Sequence, residues 1–122
     1  MQCPHTILTI SGSPRYYEDF LNGKYEYDNK TNCKASYTKN ENGISKFIKW
    51  LEEADYQGYV IGYNYLGIDY YAIYTDGKIG YSSCPSDRSI RRRWRYFGKP
   101  VRSIINNNSK SRRVSRLKLI YA

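Results

Sequence analysis

The stretch Ile44-Ser45-Lys46-Phe47-Ile48-Lys49-Trp50-Leu51-Glu52-Glu53-Ala54 decides the fold class, because it reads in two ways. Ile44, Phe47, Ile48 and Leu51 fall at i, i+3, i+4 and i+7, the stripe of an amphipathic helix, and Glu52-Glu53-Ala54 favours helix as well. Phe47-Ile48-Lys49-Trp50-Leu51 is equally a run suited to a buried strand. Periodicity alone does not separate the two in so short a segment.

Outward from it, the chain reads as strands divided by turns. Thr6 to Ile10 is β-branched and stops at Ser11-Gly12-Ser13-Pro14, a turn cluster. Asn22-Gly23 is the strongest two-residue turn signal, and Lys24-Tyr25-Glu26-Tyr27-Asp28 behind it alternates with period two. Ala35 to Lys39, Gly58 to Tyr63, Asp69 to Tyr74 and Ile79 to Ser83 follow, with Asp76-Gly77 as a hairpin turn between the last two. These segments predict an all-β domain, a small antiparallel sheet of about six strands. A single helix is a candidate either at 44–55 or at 87–97, where Ile90, Trp94 and Phe97 fall at i, i+4 and i+7 between Ser86 or Asp87 as a cap and Gly98 as a stop.

The residues Leu8 to Gly12, Asn22-Gly23-Lys24-Tyr25, the Tyr37 strand, Ile48-Lys49-Trp50, Gly58-Tyr59-Val60-Ile61-Gly62, Tyr70-Tyr71, Ser82-Ser83 with Pro85, and Trp94 together resemble a small module that recurs in protist and algal proteins. The module is often repeated or joined to ubiquitin-ligase or zinc-finger domains. The resemblance spans roughly residues 7–101 and departs at Tyr59, where the module usually has tryptophan, and in the insert between Trp50 and Gly58. It implies a strand over 45–51, an extended closing segment around Trp94, and a binding or scaffolding role with no assigned catalytic residue.

The 122 residues suffice for one core, and 40% apolar residues are too many for a wholly disordered chain. No run approaches the ~18–20 apolar residues of a membrane span, and the start lacks a secretory pattern. The expectation is a protein with no membrane partner, intracellular, in cytoplasm or nucleus, or associated with a virion. Cys3, Cys33 and Cys84 are odd in number and far apart, which favours reduced thiols. With His5 they amount to a Cys₃His zinc set only if the fold gathers them, so no metal and no cofactor is expected.

The formal charge of +9 is unevenly divided. Residues 1–87 carry all 11 acidic side chains and a net charge of −3, whereas residues 88–122 carry 12 Lys/Arg and no acid. We therefore expect a compact body, 1–101, followed by a basic C-terminal tail, 102–122, with Asn106 to Ser109 as linker and Leu117 to Tyr121 apolar enough to add an edge strand. Clustered cations suit a polyanion, since they displace its condensed counterions. The candidate contacts to nucleic acid or an acidic protein surface are Arg88, Arg91, Arg92, Arg93, Arg95, Lys99, Arg102, Lys110, Arg112, Arg113, Arg116 and Lys118. Tyr63, Tyr65, Tyr70, Tyr74 and Tyr96 are candidates for stacking on bases, although sheet packing accounts for most of the 15 tyrosines.

No nucleophile elbow, phosphate-binding glycine loop or metalloprotease motif occurs, and His5 is the single histidine. The sequence is read as a non-enzymatic module whose arginine-rich last third binds nucleic acid. The alternatives are a structural component of a large assembly, virion or ribonucleoprotein, with neighbours that the tail threads between, and a carbohydrate- or peptide-binding domain. Truncation after Asp87 is expected to abolish most binding.

Overall fold

In the computed structural model, which describes residues 3–28, 34–76, 84–86 and 93–122, the undecided stretch is extended: Ile44–Glu53 is a ten-residue strand. Successive side chains of a strand point to opposite faces. Phe47 and Ile48 are both buried, but in two different apolar clusters, one on each face of the sheet. The helix-like stripe is thus two alternating rows read as one, Ile44 with Ile48 on one side and Phe47 with Leu51 on the other.

The elements are β1 (Ile7–Ser11), α1 (Glu18–Leu21), β2 (Gly23–Tyr27), β3 (Tyr37–Glu41), β4 (Ile44–Glu53), β5 (Tyr56–Tyr65), β6 (Ile68–Asp76), β7 (Arg93–Val101), a single 3₁₀ turn at Asn108–Lys110, β8 (Ser111–Arg113) and β9 (Lys118–Tyr121). They make one antiparallel sheet in the order β8-β7-β6-β5-β4-β3-β2-β1-β9. The sheet therefore has nine strands rather than about six. The candidate helix at 87–97 gives way to strand from Arg93 onward; residues 87–92 lie outside the described residues, as do the Asp76-Gly77 turn beyond its first residue and the strand expected at 79–83. Asn22-Gly23 does not join two strands directly. Asn22 ends the four-residue helix α1, and Gly23, at φ +141, opens β2.

Residues 102–122 are not a free tail. β8 pairs with β7, β9 pairs with β1, and only Val114 to Leu117 separate them. Nine strands laid flat would hold the outer two about 38 Å apart, at ~4.8 Å per step. A four-residue link bridges no more than about 18 Å. The sheet must curl until its edges nearly meet, and it does. Buried side chains from β1 to β7 and from β9 converge in one interior cluster that includes Leu8, Tyr25, Tyr37, Ile48, Ile61, Ile73, Trp94 and Leu119. The outer face of β4–β7 carries the second cluster, Phe47, Val60, Tyr71, Tyr74 and Phe97, covered by Ile104 from the segment after β7. Burial on both faces explains why β5 is continuously buried from Gly58 to Gly62.

Tyrosines brace this interior. Tyr17 donates across it to the Phe97 carbonyl, Tyr25 to Leu21, Tyr37 to His5 and Tyr59 to Ala35. In each case a buried ring carries a hydroxyl that is satisfied by a backbone carbonyl. Near α1 the interior is polar. Lys46 is buried, 2.9 Å from Glu41 and over the Phe20 ring, and its hydrogen bond, followed by the charges of Lys46 and Lys39, holds the Glu41 carboxyl below the usual range.

The curl has a tight point. Gly12 sits at φ +70 against the Arg116 backbone, where a Cβ would collide with the carbonyl oxygen. Gly12→Ala should cost at least about 2 kcal/mol in urea unfolding, from left-handed strain plus the clash. Gly43→Ala, at φ +77 with open space around it, should cost only about 1 kcal/mol.

The reading of the cysteines is corrected as well. Cys3 and Cys84 form a disulfide, closing a sequence separation of 81 residues, while Cys33 lies outside the described residues. Two oxidised sulfurs do not serve as zinc thiolates, so the Cys₃His arrangement does not apply. No helix among the described residues is long and apolar enough to cross a membrane.

Candidate nucleic-acid interface

The last third alternates anchors with cations. Trp94 and Phe97 are buried on opposite faces of the sheet, Leu117 and Leu119 enter the interior, and between them the charged residues point outward. Lys99, Arg102, Lys110, Arg112, Arg113, Arg116 and Lys118 are exposed. Arg95 differs. It is half-buried and donates to the Ser111 hydroxyl and carbonyl, both at 2.8 Å, which ties β7 to β8. Arg93 begins β7, while Arg88, Arg91 and Arg92 lie outside the described residues.

The fold brings part of this set together. Arg112 and Arg113 on β8 are followed three residues later by Arg116 on the link, and Lys118 opens β9. Among the described residues none of these four cations has a carboxylate within ion-pair distance. Glu41 and Asp69 pair with Lys39, Lys46 and Lys49 on β3 and β4. Arg15, from the turn after β1, approaches the same seam, and a groove of about 610 Å³ lies there between the β1–α1 connection, Tyr96 and the β8–β9 link. Sequence reading did not single out Arg15, since it lies about a hundred residues from its new neighbours and no local pattern signals that approach. A larger hollow of about 900 Å³ runs along β9 past His5, which stacks on Tyr121 at 4.3 Å.

The stacking candidates are dispersed. Tyr63 and Tyr70 are register partners on β5 and β6 whose rings stack on each other at 5.2 Å; burial, with Tyr70 and Tyr16 nearby, pushes the Tyr63 phenol up. Tyr74 is buried on the outer face, 5.1 Å from the Phe97 ring, and donates to or accepts from Ser111. It is thus no stacking platform. An irregularity in the β5–β6 ladder between Ile61 and Gly62 accounts for the split, because one extra residue in β6 sends Tyr70 and Tyr74 to opposite faces despite their even spacing. Tyr65 is exposed at the β5–β6 turn, and Tyr96 is half-buried beside the groove. Compared with protein families, with curated proteins and with solved structures, the chain matches none.

Proposed function

We propose that the chain is a non-enzymatic binding module that holds nucleic acid on the cations of its C-terminal third. The observation that carries this reading is the exposure of Arg112, Arg113, Arg116 and Lys118, without described carboxylate partners, on a segment pinned at both ends by strand pairing. A backbone held at both ends has little freedom left to lose when its guanidinium forks meet phosphates, and phosphate contacts supply most sequence-independent affinity.

The test is salt dependence. Binding of a labelled oligonucleotide, followed by anisotropy, should weaken steeply with salt. Replacing Arg112, Arg113 and Arg116 together by alanine should reduce the slope of log affinity against log salt by about 2–3, close to one for each phosphate that is no longer neutralised. Truncation after Asp87 is not a usable test, since it removes β7, β8 and β9 together with Trp94, Phe97, Ile104 and Leu119 from the two clusters. Absence of binding to DNA and RNA at low salt overturns the reading.

A further inference from the structure

We propose that the seam groove is a binding site for a nucleoside phosphate, which deepens and rests on the nucleic-acid reading by naming the unit that is recognised. The groove's volume, about 610 Å³, falls in the range of small-ligand sites. Three arginines line it from two separate segments, Arg15 on one side and Arg113 and Arg116 on the other. Their planar forks match phosphate oxygens.

A second observation is independent of charge. Ser13 also lines the groove; its side chain is buried, and among the described residues its Oγ is the buried side-chain polar atom left without a hydrogen-bond partner. Its backbone N–H is already committed, donating to Asn22 Oδ1 at 3.2 Å. Proteins satisfy nearly all such hydroxyls, so an orphan on a residue that lines the same groove as three arginines marks where a ligand oxygen belongs. The remaining chemistry suits the rest of a nucleotide. Tyr96 offers an aromatic edge or face to a base. Glu18, the single acid in the groove, is an acceptor for sugar hydroxyls and disfavours a second phosphate beside it.

The experiment uses the full chain with its disulfide intact and three probes: adenosine monophosphate, adenosine and inorganic phosphate, followed by amide chemical shifts. Adenosine monophosphate should shift Gly12, Ser13 and Arg113 to Leu117, and should bind at least about tenfold more tightly than either half alone. Arg15→Gln should weaken it about tenfold. Ser13→Ala should weaken it about fivefold to tenfold while raising Tm, because the variant deletes a buried hydroxyl that nothing satisfies. A purely structural serine would lower Tm and leave affinity alone. No shifts in the groove, or Ser13→Ala and Arg15→Gln chains with undiminished affinity, overturn the inference. A 5′-phosphorylated oligonucleotide separates the two readings. If it binds with the arginine-dependent salt slope while adenosine monophosphate does not bind, the groove inference falls and the proposed function stands. Binding of the mononucleotide without the oligonucleotide overturns the proposed function and makes a free nucleotide the ligand.

Discussion

A chain that stops at Arg116 should not fold cooperatively. It loses Leu117 and Leu119, both buried among Leu8, Ile10 and Trp94, and it strips β1 of the partner on its outer side. Removing one such leucine side chain costs about 2–5 kcal/mol. Two of them, with the β1–β9 ladder, approach the ~5–15 kcal/mol that holds a domain of this size together. Circular dichroism should show loss of the melting transition, whereas Lys118→Ala with Ile120→Ala, two exposed positions on the same strand, should leave stability within about 0.5 kcal/mol. A truncated chain that melts like the full one would show that the last six residues are an appendage after all.

Reduction of the Cys3–Cys84 bond should have the next largest effect. The cross-link closes most of the chain into a loop, and releasing a loop that long costs about 2–4 kcal/mol, chiefly through the freedom returned to the unfolded state. Dithiothreitol should lower Tm by about 10 °C. Cys33→Ser should leave that response intact, and Cys84→Ser should abolish it together with the stability it reflects. A Tm indifferent to reductant would mean that the bond contributes nothing. Such bonds persist where thiols are not kept reduced, which bears against the intracellular setting that the odd cysteine count suggested.

What was legible in the sequence follows from how local each signal is. Alternation over 24–28 and β-branching over 6–10 appear in the chain as β2 and β1, within a residue or so at each end, since a half-buried strand writes its two faces into every second residue. The segment 44–53 defeated that rule because both of its faces are covered, so apolar residues occur at odd and even positions alike. Tyr74, grouped with Tyr70 by even spacing, lies on the other face for a different reason: a bulge changes the face without changing the composition. The closing contacts were least legible. Leu8 meets Tyr121, and Gly12 meets Arg116, across more than a hundred residues, and no local pattern encodes a partner that far away. The basic third was visible as charge, but its division into buried anchors, a pinned Arg95 and exposed Arg112, Arg113 and Arg116 needed the curl of the sheet.

The pairing of β1 with β9 also sets the timetable of folding. During synthesis the first strand leaves the ribosome early and finds β2 at once, but its other edge waits for the last strand to emerge. Until then an unpaired row of backbone donors and acceptors is open to other chains. Pairings between such distant segments also slow refolding, because a long loop must be closed before they form. Emergence of β9, rather than of any earlier strand, is the event that completes this sheet, and crowding of nascent copies is where its association is most easily misdirected.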